Sequence, residues 1–296
     1  MRLAWISLAL SIIALAVSCS VLSTALHTAY PIKRTTTVVV HETTTIIESL
    51  TATTPRNSVT VVNSSLYLLP LPQIRRDSMP LEVALSIRRS IREYLNEPIT
   101  VFQLSQLLWA ADGVNDPWTG FRTAPSAGAL YPLTIYVVIG ERSVIDSSGH
   151  YLPAGVYRYD PYIHALILVK RGDVREELYR AALNQPWVLK APIDIVICAN
   201  FSRTTSYYGS RGYRYVYMEV GHVGQNIYLE AAALGLATVA VGAFYDDEVR
   251  KIIGAPQQHH PLYIMPVGVP AKPYRVSEEQ IWSFIEEHRH RAIGRP

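Results

Sequence analysis

Cysteine is nearly absent. Cys19 and Cys198 are the only two in 296 residues, which excludes a disulfide scaffold and any four-cysteine zinc site. Charge is scarce as well, at 17% of residues against 49% apolar types, and so low a charged fraction excludes disorder over most of the length. Neither sign dominates: with 27 Lys+Arg against 24 Asp+Glu and no run of five like charges, the composition argues against a nucleic-acid partner. The chain has no HExxH, no CxxC and no GxGxxG, and His259-His260 lacks a partner set, so no metal site and no dinucleotide fingerprint is assigned. Phenylalanine is rare at 5 residues, whereas tyrosine reaches 19. An apolar body with a polar tip suits half-buried and interface positions.

The long uncharged stretch that the chain does have lies at its start. Leu3 to Leu26 carries no charge and follows only Arg2. It is long enough to cross a bilayer as a helix. Retention as a membrane anchor is the leading expectation, with cleavage as a secretory signal near Ala16-Val17-Ser18, or lipid attachment at Cys19, as alternatives. The following Thr- and Ser-rich segment has few charges and no helical period. It reads as a stalk holding the domain outside the cytoplasm, with Asn63-Ser64-Ser65 a glycosylation acceptor pattern. Three parts result: residues 1–30 as anchor or signal, 31–65 as stalk or linker, and 66–296 as the globular domain.

In the globular part, apolar residues at helical spacing predict a helix over Leu81–Tyr94, and Thr100 caps a second helix over Val101–Ala111 that ends at Gly113. Residues 112–129 read as loop. Strands are expected at Leu133–Ile139, in a hairpin of Gly155–Asp160 with His164–Lys170, at Thr238–Val241 and at Tyr263–Val267. Ile193–Ala199, apolar except for Asp194, has the signature of a strand buried on both faces. Further helices are expected at Asp173–Asn184, Tyr215–Leu234 closed by Gly235, Asp246–Ile253 and Ser277–His290. Interleaving without a strict βαβ beat gives an α+β class.

Four segments carry candidate chemistry. Arg88 and Arg92, four apart, share one face of the expected helix, with the Ser90 hydroxyl nearby; guanidinium forks suit a phosphate. Arg122 to Pro132 is a loop of small residues whose backbone can approach a flat ligand closely. Tyr207 to Tyr215 is an aromatic and glycine-rich run that leads into His222, Gln225 and Asn226 on an otherwise apolar helix. The strand ending at Gly242-Ala243 presents backbone without bulk, and Lys272 and Arg275 supply a second source of positive charge. Read singly, each is as consistent with a solvated basic face, a turn-rich connection, aromatic packing or plain strand ends.

Taken in order, SIRRSIREY (86–94), LSQLLWAADG (104–113), RTAPSAGALYPLTIYVV (122–138), NQPWVLKAPIDIVI (184–197), the 208–244 segment and PVGVP (266–270) resemble the nitroreductase-type flavoprotein superfamily, in its SagB-type dehydrogenase branch. The resemblance covers about 80–275. It implies a nitroreductase-like fold with a central, mostly antiparallel sheet flanked by helices, and an FMN-bound homodimer with two active sites at the subunit interface. It further implies that a hydride passes through flavin N5, with a reduced nicotinamide or quinol as electron donor and a small molecule or peptide as substrate. Carried over by motif, Arg88, Ser90 and Arg92 hold the phosphate and ribityl end. Pro125, Ser126 and Ala127 form the loop that reaches the flavin from the partner subunit. Asn184 or Gln185 supplies an amide near the ring, Gly242 and Ala243 sit beside N5, and Arg275 or Lys272 closes the phosphate site. Members that oxidise azolines to azoles in modified peptides are associated with a Lys-Tyr pair, but here Tyr207 stands where the Lys would be. A phenol is a poorer base at neutral pH. Tyr208 and Arg211 remain as groups that polarise a substrate.

Overall fold

The computed structural model describes residues 58–294. The expected anchor and most of the expected stalk lie outside the described residues, and among the described residues no helix is long and apolar enough to cross a membrane.

The class is α+β. Among the described residues there are ten strands: β1 (Thr60–Val61), β2 (Leu66–Leu68), β3 (Ile99–Thr100), β4 (Leu133–Ile139), β5 (Val144–Ile145), β6 (Gly155–Asp160), β7 (Ala165–Arg171), β8 (Ile193–Ala199), β9 (Ala237–Thr238) and β10 (His260–Gly268). Eight of them form the central sheet in the order β1-β2-β7-β6-β4-β8-β10-β9, and every pairing in it is antiparallel. β3 and β5 make a separate parallel pair. The helices are α1 (Leu81–Ile87), α2 (Val101–Asp112), α3 (Arg175–Ala181), α4 (Pro186–Lys190), α5 (Phe201–Tyr208), α6 (Arg211–Ala233), α7 (Asp246–Ile252) and α8 (Glu278–Ile293).

The middle of the sheet falls where the apolar runs are. β8 is buried at every position, as its sequence predicts, and pairs β4 from Leu133↔Ala199 to Ile139↔Ile193. Alternation then sorts the side chains. Ile193, Ile195, Ile197 and their β4 neighbours Ile135 and Val137 face a core shared with Leu104, Leu107 and Leu108 of α2 and with Val216, Val223 and Ile227 of α6. Val196, Cys198, Tyr136 and Val138 face a second core with Leu178, Val188 and Val249. Each such aliphatic side chain contributes about 1.5–3 kcal/mol by leaving water. Helices on both faces therefore pin the sheet that carries the candidate residues.

Three expectations change. The first helix stops at Ile87 instead of running to Tyr94, because the next residues make sheet-like bonds: Ile91 N–H donates to Thr238 O, Leu95 N–H to Val269 O, and Ala271 N–H to Glu93 O. Tertiary pairing overrides a helical apolar pattern here. The strand expected over Thr238–Val241 reduces to β9, with Val241 bridging Ile264 alone. Residues assigned to the stalk also reach the sheet, since β1 pairs β2 and the exposed Asn63 side chain closes the turn between them by accepting from Ser65 N–H and Leu66 N–H.

Candidate active site

The extended backbone after Ile87 keeps the basic motif together by a different period. In extended chain, residues two apart share a side, so Arg88 and Ser90 align on Tyr228 without a helix. Arg88 lies over the Tyr228 ring, 5.1 Å from its centroid. Ser90 Oγ sits 2.8 Å from Tyr228 Oη. Either hydroxyl can donate in that pair, and Ala240 N–H donates to the same Oη at 2.8 Å. Tyr228, on α6, thus joins the 88–92 segment to the chain leading into Gly242. Arg92 diverges and lies over Trp187, 5.3 Å from its ring centroid.

Beside this junction is a cleft of about 230 Å³ that brings Arg88 and Arg275 together with Arg89, Ala237, Thr238 and Gly235. Its lining includes three guanidinium groups and no carboxylate. Among the described residues none of these arginines takes part in an ion pair. Thr238 Oγ1 is buried and has no hydrogen-bond partner among the described residues. Lys272 is exposed and does not line the cleft, so of the two late basic candidates the geometry brings in Arg275. A second cavity of about 600 Å³ adjoins it under α8 and shares Arg89, Tyr274 and Arg275.

The amide alternatives separate. Gln185 Nε2 donates to Ala243 O at 2.8 Å and to Ala182 O at 2.9 Å, which ties it to the Gly242-Ala243 pair. Asn184 is exposed with left-handed backbone, φ 56°. Gly242 and Ala243 are exposed, and a Cβ added at Gly242 would meet only Tyr263, at 3.8 Å.

The 125–127 loop belongs to another neighbourhood. Ser126 Oγ donates to Glu219 Oε2 at 2.6 Å and accepts from Tyr131 N–H at 2.9 Å. Gly128 lies so close to Tyr208 that an added Cβ would stand 2.8 Å from the phenol oxygen, and the Tyr208 ring packs edge-on against Tyr207 and Tyr215. Arg211 opens α6 and is exposed. Behind the loop, Arg122 and Asp112 form a 2.6 Å ion pair with side chains only 7% and 4% exposed. Burial lifts the Asp112 carboxyl to about 6 even beside that guanidinium, and burial pushes Glu219 up to about 7 although the Ser126 hydrogen bond lowers it.

Glu219 and Tyr228 anchor these two neighbourhoods on one helix. They are nine residues apart on α6, which is two and a half turns, so they occupy opposite flanks about 14 Å apart along the axis. The chain therefore joins Arg88, Ser90, Arg275, Gln185 and Ala243 through Tyr228, Thr238 and Ala240, and holds Pro125, Ser126, Ala127 and Tyr208 on the far flank. Sequence reasoning missed Tyr228, Thr238 and Glu219. For Glu219 a signal existed: a carboxylate set among Val216, Val220 and Val223 on the buried stripe of the helix.

The nitroreductase family pattern matches residues 85–269. A protein of Methanocaldococcus jannaschii that carries a provisional nitroreductase name is 49% identical over 200 residues, 68% of this chain and 95% of that protein. The microcin B17-processing protein McbC of Escherichia coli is 29% identical, covering 54% of this chain and 58% of McbC. Among solved structures, a provisionally named nitroreductase from Ralstonia eutropha superposes with a TM-score of 0.60 at 29% identity, covering 74% of this chain and 96% of that one. The antiparallel sheet with helices on both faces is thus a nitroreductase-like fold, and the expected family holds at that level. The chain belongs to the nitroreductase family, a family of oxidoreductases.

Proposed function

We propose that this chain is an FMN-dependent oxidoreductase that works as a homodimer, passing a hydride through flavin N5 to or from a small molecule or a peptide. The observation that carries this reading is the cleft holding Arg88, Arg89 and Arg275 with no carboxylate. Such a donor set fits a dianionic phosphate, because unpaired guanidinium forks bind its oxygens in pairs. The orphaned Thr238 hydroxyl adds a polar atom in need of a partner. FMN, when bound, supplies the two-electron chemistry, and the protein supplies orientation and charge. Arg88 and Arg275 hold the phosphate. Tyr228 fixes Ser90 relative to Ala240, and Gln185 holds the Ala243 carbonyl so that the small pair Gly242-Ala243 stays open beside the ring.

Dimerisation accounts for the loop on the far flank of α6, which reaches a site only if it serves a second copy. The outer face of α6 supports this, with Met218, Gly221 and His222 exposed and nothing within 4 Å of a Cβ placed at Gly221. A bare stripe lets a second helix approach closely. The electron donor is a reduced nicotinamide or a quinol. Tethering through Leu3–Leu26 would keep the domain outside the cytoplasm, a reading supported by that uncharged segment and the Thr-rich stretch after it. A SagB-type, peptide-directed activity is the second reading. The match to McbC favours it, and Tyr207 in place of a Lys weighs against it.

The test is a titration of the full chain with FMN and with riboflavin, followed by absorbance and fluorescence. FMN should bind more tightly than riboflavin. Arg88→Ala should weaken FMN by roughly ten- to a hundredfold, the ~1.5–3 kcal/mol of a hydrogen bond to a charged group, and leave riboflavin unchanged. No flavin uptake, or equal loss for both flavins, would overturn the assignment.

A further inference from the structure

Glu219 is used by nothing in the reading above, yet it is one of the few buried charged side chains, 2% exposed, and its Oε1 has no partner among the described residues. Its other oxygen meets Ser126, in the middle of the 125–127 loop. We propose that Glu219 is a positioning residue which, by taking up one proton at Oε2, turns the hydroxyl hydrogen of Ser126 from the protein toward the flavin served by that loop. The inference rests on the flavin reading given above.

The argument is a count of hydrogens. Ser126 has one, and its oxygen already accepts from Tyr131 N–H. While Glu219 is ionised, that single hydrogen is held by Oε2 at 2.6 Å, and the loop offers a ligand no side-chain donor at this position. A proton added at Oε1 would have no acceptor. Added at Oε2 it faces Ser126 Oγ, which then accepts twice and must direct its own hydrogen elsewhere. The route inward is closed by Glu219 and by the backbone of Tyr131, so the free direction is the exposed side of the loop, where Pro125 and Gly128 lie.

The surroundings allow this exchange near neutrality. The charged groups that act on Glu219 are Asp112 of α2, Arg122 of the loop and Arg203 of α5. Asp112 repels a second negative charge, the two arginines attract it, and burial outweighs both, so the carboxyl titrates at about 7 and not in the ordinary glutamate range. A carboxyl behind a ligand loop that changes state near neutral pH is a proton device by geometry, and among the described residues the Ser126 hydroxyl is the side-chain donor that meets it.

Two measurements decide the matter. In the flavin-free full chain, carboxyl carbon resonances followed by NMR should show Glu219 titrating near 7, and Ser126→Ala should move that midpoint upward by removing the bond that favours the anion. In the flavin-loaded protein, FMN affinity of the wild type should rise roughly fivefold as the pH falls through about 7, the worth of one neutral hydrogen bond. Glu219→Gln donates from its amide permanently, so it should bind as the wild type does at low pH and lose that rise. The phosphate's own titration is common to both proteins and cancels in the comparison. An identical pH profile in wild type and E219Q, or a Glu219 that titrates in the ordinary range, would overturn the proposal. If E219Q does not fold, S126A abolishes the same rise from the loop side. If no protein takes up FMN, the flavin reading fails while the flavin-free titration still judges the proton exchange.

Discussion

Acidification should loosen this domain through one buried imidazole. His164, 7% exposed and at φ 47° where β6 turns into β7, joins three elements. Ser105 of α2 donates its hydrogen to Pro70 O, so its oxygen accepts from His164 Nε2–H, while Tyr159 Oη donates to Nδ1 at 2.8 Å. Every position is filled by the neutral ring, and a second proton has nowhere to be solvated. Burial accordingly lowers the imidazole from 6.5 to about 4. Between those values the unfolded chain binds more protons than the folded one, so stability rises with pH across the window and is lost as pH falls from about 6.5 to about 4. From pH 8 down to about pH 5 the loss is roughly 2 kcal/mol, and it approaches ~3 kcal/mol below pH 4. Asp112 and Glu219 act in the opposite sense: their raised folded values make them stabilise as pH falls. The measurement must therefore be a difference. Urea unfolding of wild type and His164→Asn, an exchange suited to the left-handed backbone, should be run at both ends of the range. The wild type should lose about 2 kcal/mol more than the variant on going from about pH 8 to about pH 5. Equal losses would refute the reasoning.

Two other perturbations separate the ends of the site from the body of the sheet. Gln185→Ala removes the bonds to Ala243 and Ala182, so it should weaken FMN and riboflavin alike by roughly fivefold. Loss for FMN alone would place Gln185 at the phosphate end. Asp194, wholly buried on β8 with neither carboxyl oxygen partnered among the described residues, is held neutral well above the usual carboxylate range by desolvation. Its unfolded form ionises first as pH rises, so it costs stability increasingly above the ordinary aspartate range. Asp194→Asn should raise the thermal midpoint at about pH 8 and flatten that decline, and calorimetry showing a lower midpoint would count against it.

What could be read from the chain follows from how local each signal is. β4 and β8 are read residue for residue, because strands covered on both faces are dominated by apolar types, with Thr134 and the buried Asp194 as the polar exceptions. α2 is read because its cap is local: Thr100 Oγ1 accepts from Gln103 N–H and the Gln103 side chain answers. α6 is under-read at its start, where Arg211 and Arg214 break the apolar stripe, and α5 is missed because only Thr204 is buried on it. The helix over Leu81–Tyr94 is over-read since the bonds that end it come from residues 238 and 269–271, far away in the chain. The candidate site divides the same way. Arg88, Ser90, Gln185 and Ala243 carried motifs, whereas Tyr228 and Glu219 acquire their roles only from the flank of α6 on which each happens to fall. A lone polar residue in a helix does not announce its partner.

The sheet's margins have a further consequence. Among the described residues, its outermost strands on both sides, β1 and β9, are two residues each. Edges that short present almost no row of free amides and carbonyls for another chain to zip onto. At these two outermost strands a second chain finds little backbone to add to, which favours contacts made side chain against side chain, through helical surfaces whose chemistry can be edited one residue at a time.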